Sequence, residues 1–450
     1  MSDQNSYCTF DDAVPRCVRT LREHMPNWSP EDTRIIRDID GRVHLVFRGD
    51  VDAQVLQEIE TLLMQRLGPW LFPTDSVAVA KSTIEGEALF DEATLTIPID
   101  DDFVKMIDRR AVGPDWSSLS PLTDADTAPA NHPTRLVFYS LKGGVGRSTA
   151  VILTARHLAD AGKKILLIDL DLEAPGIATQ VLADAEMPRF GVLDWLVEDL
   201  VRNDGPDDHI IDNMIASAPV VGTAVNVVAA VGLSPDGSQP NVVSKLARAY
   251  LERYTQDGEV LSFSARLMQM VSRIETVVKP DVVLVDSRSG LHESVASVLL
   301  HMDAEVLLFG TDLPASWQGY RLLFAHLAQL ASDSAAWRER LKMVRALAPP
   351  SSPRESAKTF LSTSYGLWTD SLYDQIDAQG GLDEVTNEEF SFDENDPDAP
   401  HSPLTIHRTA SFQDFDARRQ LSETSETAVR EAFAPFLTGL TELLDRVASP

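Results

Sequence analysis

Hydrophobic and polar positions along the chain follow two different regimes. In the first hundred or so residues the apolar positions are sparse and change period often. Over Asp11–His24 they recur at helical spacing, with Val14, Cys17, Val18 and Leu21 on one face. Arg34–Phe47 alternates around Asp40-Gly41, which predicts a β-hairpin. A second helix is expected over Ala53–Leu67, a strand over Ala93–Ile99 and a short helix over Phe103–Arg109. These elements make a small N-terminal α+β domain over residues 1–116. It holds no catalytic constellation and reads as an interaction or regulatory domain.

Residues 117–132 break the pattern. Ser117–His132 (SSLSPLTDADTAPANH) is polar, rich in Ser, Pro and Ala and without periodicity, as a linker would be. Beyond it, over residues 133–450, short apolar runs alternate with helical stretches. The runs are Leu136–Tyr139, Ile165–Ile168, Val225–Ala230, Val282–Val285, Val306–Phe309 and Met343–Leu347. Helical spacing fills Thr149–Ala161, Ser262–Val277, Glu293–His301 and Trp317–Leu330 between them. Strands buried on both faces read as continuous apolar runs, so the fold class is α/β with a doubly wound, mainly parallel sheet. Asp374–Pro400 carries acidic residues without Lys or Arg and predicts a mobile loop. A helix over residues 425–448, with a stripe from Val429 to Val447, ends the pattern and should pack on the domain with a kink at Pro435.

Composition changes this picture in two respects. With 39 Lys+Arg against 69 Asp+Glu the net charge is −30, which disfavours nonspecific DNA and anionic membrane surfaces. Cys8 and Cys17 are too few for a disulfide framework or a four-cysteine metal site. The polar start MSDQNSYCTF lacks signal-peptide character, and no apolar run approaches a membrane span, so a cytoplasmic location is expected.

The candidate chemistry sits at the first strand of the α/β region. Tyr139–Ala150 reads YSLKGGVGRSTA: a strand end, a turn with Gly143, Gly144 and Gly146, then a helix from Ser148. Glycines let successive backbone N–H groups converge on phosphate oxygens, and the helix N-terminus adds partial positive charge. Counting back from Gly146 puts Leu141 where the usual first glycine of a phosphate loop stands, and Arg147 replaces the usual lysine. Two further segments end apolar runs on acids. ILLIDLDLEAPGI carries Asp169 and Asp171 before a Pro-Gly turn, and DVVLVDSRSGL carries Asp286 before Arg288 and Gly290.

The string Lys-Gly-Gly-Val-Gly-Arg-Ser-Thr, with these two segments, resembles the ParA/MinD-like branch of P-loop ATPases, in a bacterial variant spelt KGGVGR. The resemblance covers roughly Arg135–Leu347. It implies ATP and Mg²⁺ as cofactors, with Gly143, Gly144, Val145, Gly146, Arg147, Ser148, Thr149 and Gly290 around the nucleotide. It also implies Ser148 and Asp286 at the metal with Asp169 supporting its shell, and Asp171 orienting the attacking water. Lys142 would reach the phosphates of a partner in an ATP-dependent homodimer. Arg288 would either contact phosphate or form a salt bridge within the domain.

The expected activity is slow ATP hydrolysis driving a dimerisation switch, because phosphoryl transfer depends on positioning and the arginine displaces the usual cation. An unidentified protein partner would read the state through the N-terminal domain. The alternative is a nucleotide-binding interaction protein without turnover. Adenine rather than guanine follows from the resemblance alone, since Arg345-Ala346-Leu347 stands where relatives place an asparagine.

Overall fold

In the computed structural model the chain divides into two compact units, Met1–Ser120 with Ala328–Asp333, and Pro121–Leu327 with Ser334–Pro450. The structure describes residues 8–83, 86–92, 94–100, 102–109, 113–117, 132–201, 206, 208–233, 241–255, 258–330, 336–349, 354–374, 390–412, 415–420 and 426–447. Residues 118–131 of the expected linker and 375–389 of the acidic segment lie outside them.

The first unit is a five-stranded sheet of β1 (Thr33–Arg37), β2 (Val43–Phe47), β3 (Val77–Val79), β4 (Leu95–Ile99) and β5 (Asp102–Asp108), in the order β3-β2-β1-β5-β4. The β1–β2 hairpin turns at Gly41, whose φ of 86° favours glycine. The helix Phe10–His24 buries Val14, Cys17, Val18 and Leu21, and the helix Ala53–Leu67 buries Ile59, Leu63 and Leu67. Phe103–Arg109 is not the expected helix. Asp102–Asp108 is a strand that pairs antiparallel with β4 and parallel with β1. Val104 and Met106 are buried at period two, and bidentate pairing of Arg37 with Asp108 closes its end. Pairing on both edges decides against the weak helical spacing.

The second unit is built on an eight-stranded sheet. Its strands are β6 (Thr134–Ser140), β7 (Ile165–Asp169), β8 (Ile215–Ser217), β9 (Val225–Val228), β12 (Val282–Asp286), β13 (Glu305–Gly310), β14 (Leu341–Ala348) and β15 (Leu404–His407). A two-stranded ribbon of β10 (Arg253–Tyr254) and β11 (Val260–Leu261) stands apart from it. The order is β15-β14-β13-β6-β12-β7-β9-β8, with all neighbours parallel except β8 and β9. The chain runs to one side of β6 for β7, β9 and β12, then crosses to β13 on the other side. Ligands in such sheets sit outside the carboxyl ends of strands at this reversal.

The helix Arg147–Asp160 follows β6 and buries Ala150, Val151, Ile152, Leu153 and Ala155 in the core beneath the sheet. Burying Val151, Ile152 and Leu153 stabilises by roughly 1.5–3 kcal/mol each, so the first turn of this helix is held in place. The C-terminal helix Glu426–Val447 adds Phe433, Phe436, Leu437, Leu440 and Leu443 to the same core and runs through Pro435.

The described part of the acidic segment is fixed rather than mobile. Lys342 Nζ donates to the carbonyls of Pro397 and Ala399, Met343 N–H to Pro400 O, and Ser364 Oγ to His401 O. Its carboxylates add to the attachment, with Asp374 on Arg338, Glu394 on Ser362 and Asp398 on Arg446.

Candidate functional site

The loop after β6 turns at Gly144 (φ 75°) and Gly146 (φ 82°), a left-handed conformation that favours glycine. Gly146 is also the N-cap of the helix Arg147–Asp160 and provides no side-chain cap. The first-turn N–H groups therefore have no intrahelical acceptor and face the loop as an anion site. Gly143 and Gly144 are exposed while Val145 is buried, which anchors the cradle from below.

Register brings the acids to this loop. β12 lies between β6 and β7, and Asp286 stands level with Asp169 on β7. Ser148 Oγ donates to Asp286 Oδ2 at 2.7 Å. Arg147 is buried, and its guanidinium reaches three groups: Asp286 Oδ1 at 2.6 Å, Ser140 Oγ at 3.1 Å and Asp171 Oδ2 at 3.4 Å. Asp169 accepts the N–H groups of Asp171, Gly176 and Ile177 at 3.1 Å each, so its carboxylate shapes the turn after β7. Burial and the neighbouring Asp286 push its carboxyl up to about 7, against those three donors. Burial also raises Asp171, with Arg147 opposing the rise.

Ser148, Asp286, Arg147, Asp171 and Asp169 thus converge at the loop. Lys142 is exposed and makes no ion pair among the described residues. Gly290 has φ 86°, and its N–H donates to Ser140 O at 3.0 Å while its carbonyl accepts from Tyr139 Oη. Thr149 is half-buried in the first helical turn. Arg288 pairs with Glu173 in the turn after β7. Glu173 also accepts from Tyr250 Oη at 2.6 Å and lies 3.5 Å from His292 Nε2.

The sequence reading did not single out Glu173, Tyr250 or His292. Glu173 stands two residues after Asp171 beside the Pro-Gly turn, a charge opposite to Arg288 at a segment already of interest. Leu347, at the end of β14, also borders the loop: a Cβ built on Gly146 would come 3.8 Å from its Cδ2. Arg345 beneath it is buried and paired bidentately with Asp312.

Residues 134–231 match the family model described as an AAA domain. That span holds the glycine loop, the helix behind it and the Asp169–Asp171 turn in one block. Over that span the chain is similar to this family.

A putative arsenical pump-driving ATPase of Halobacterium salinarum is 30% identical over 129 residues, 28% of this chain and 19% of that protein. The chain therefore spans a small fraction of the relative's length. Superposition on solved structures gives the apo McdA of Cyanthece (15% identity, 70% of this chain, 100% of that one, TM-score 0.42). It also gives pNOB8 ParA bound to nonspecific DNA (12%, 70%, 99%, 0.41) and the Pyrococcus furiosus cell division ATPase MinD (16%, 69%, 99%, 0.40).

The loop's own donors fit a nucleotide with a hard cation. Ser148 and Asp286 offer one hydroxyl and one carboxylate, as many protein ligands as Mg²⁺ usually takes beside phosphate and water. Among the described residues no group of three or more His, Cys, Asp or Glu could hold a metal by itself. The metal's remaining ligands would come from phosphate and water.

Proposed function

We propose that the chain binds ATP with Mg²⁺ at the loop Lys142–Thr149 and hydrolyses it slowly, as a nucleotide-dependent dimerisation switch. The observation that carries this reading is the convergence at one glycine loop of Ser148 in the helix after β6, Asp286 at the end of β12 and Asp171 in the turn after β7. Backbone N–H groups of Gly144 to Thr149 bind the phosphates, and Ser148 with Asp286 hold the metal, which supplies charge neutralisation between the terminal phosphates. Asp171 accepts a hydrogen bond from the attacking water and orients it; its raised pKa brings it nearer to a working base. Lys142, exposed at the loop's outer edge, is free to meet a partner's phosphates, which makes the dimer part of the site. An unidentified protein partner would read the state through the first unit.

A specific observation favours the second reading, a nucleotide-binding protein without turnover: Arg147 is committed to two carboxylates rather than facing the loop. Light scattering and phosphate release with ATP·Mg²⁺ separate the two. The switch predicts an ATP-dependent mass increase, lost in Lys142→Ala. Asp171→Asn should retain nucleotide binding while phosphate release falls by about 10²-fold or more. Unchanged mass with and without ATP·Mg²⁺, together with no phosphate release, would sink the switch.

A further inference from the structure

The structure assigns to Arg147 a second job: in the nucleotide-free chain its guanidinium keeps the place of the divalent cation, and it gives up Asp286 when metal and nucleotide arrive together. This rests on the nucleotide-binding reading above and names how that site is regulated.

Asp169 and Asp286 end the neighbouring strands β7 and β12 at the same level, and Asp171 lies in the turn that follows β7. Three backbone donors satisfy Asp169, whereas Asp171 has one, the Ala174 N–H at 3.3 Å, and Asp286 has the Ser148 hydroxyl, so each has an oxygen left for a cation. Arg147 provides it, with Nε on Asp286 Oδ1 and Nη2 on Asp171 Oδ2. Ser148 Oγ occupies the other oxygen, so both oxygens of Asp286 are engaged. The side chain of Arg147 is 9% exposed and that of Asp286 3%, so water screens the pair little.

A divalent cation on Ser148 and Asp286 would share its carboxylate with a guanidinium in a buried setting. Two cations there repel strongly, and one must leave. Arg147 is the first residue of its helix, next to N–H groups that face bound phosphate. Side-chain rotation takes the guanidinium from carboxylate oxygens to phosphate oxygens, the two anions its planar fork suits. Lysine would bring its three donors on a single nitrogen, whereas Arg147 reaches Asp286, Ser140 and Asp171 from three separate nitrogens. The substitution of arginine for the usual lysine thus has a physical use: it holds the acids without metal and hands them over with it.

The test uses the full chain with ¹⁵N-labelled arginine. The Arg147 Nε–H resonance is assigned by its absence in Arg147→Lys, or by its loss of protection in Asp286→Asn should that variant not fold. In the nucleotide-free chain this proton should exchange with water at least about tenfold more slowly than those of exposed arginines. A fluorescent, non-hydrolysable ATP analogue is then added in EDTA, where the protection should persist, and finally with Mg²⁺, where the resonance should shift and lose its protection. An Arg147 signal unchanged at saturating analogue and Mg²⁺, or unprotected from the start, overturns the placeholder role alone. Absence of any analogue binding by fluorescence overturns both this role and the nucleotide-binding reading.

Discussion

Ser148 Oγ lies 2.7 Å from Asp286 Oδ2 although 138 residues separate the two in sequence. One sits in the first turn of the helix after the glycine loop, the other at the end of the central strand β12. If this pair holds the metal, Ser148→Ala should weaken nucleotide affinity only when Mg²⁺ is present, by about tenfold or about 1.4 kcal/mol. Titration of a fluorescent nucleotide with Mg²⁺ and with EDTA checks this. Equal losses in both would place Ser148 on phosphate instead.

Glu173 ties the turn after β7 to the segment after β12 through Arg288 and His292, and to Tyr250. These side chains are half-buried, so their charges attract through less water than at an open surface. A double-mutant cycle of Glu173→Ala and Arg288→Ala, read by urea unfolding, should give a coupling of about 1 kcal/mol or more. A coupling near zero would make the contact a passive surface pair.

Leu347 adopts φ 54° at the end of β14, where the pairing with β15 shifts register between Arg345 and Ala348. A branched hydrocarbon in left-handed backbone is strained, and a branch at Cβ adds to the strain. Leu347→Val should therefore be less stable than Leu347→Asn by about 1–2 kcal/mol, despite asparagine's lower hydrophobicity. Thermal unfolding of both variants decides it; the reverse order would mean that side-chain burial dominates.

Glu305, half-buried at the start of β13, has its carboxyl pushed up to about 7 by burial, with Arg446 opposing the rise and Glu339 reinforcing it. The folded state thus binds its proton more tightly than the unfolded chain. Wild-type stability should fall as pH rises from about 4.5 to about 7, and the deficit should stay above that. Glu305→Gln lacks this slope and should exceed wild type by about 1–3 kcal/mol at pH 8, with little difference at pH 4. Asp169, which is also raised, titrates in both proteins, so the difference between them isolates Glu305. Parallel stability curves across this range would refute the assignment.

Much of the architecture was legible in the chain itself. Apolar runs such as Leu136–Tyr139 and Val282–Val285 became central strands because a strand covered on both faces needs unbroken hydrophobicity. The glycine loop was equally readable, since strand, turn and helix follow one another within a dozen residues. Phe103–Arg109 was misread because its short run fits two periods, and only pairing with β1 and β4 selects the strand.

The sequence by itself determined the sheet class, the loop and which acids end its strands, because these depend on local period and on neighbours in the chain. Tertiary structure alone decided what the cations do. Arg147 reaches Asp286 and Asp171, and Arg288 reaches Glu173, only because β6, β7 and β12 lie side by side in parallel register. Charge pairing across such separations depends on distances of a few ångströms that strand order sets, and no spacing along the chain encodes them.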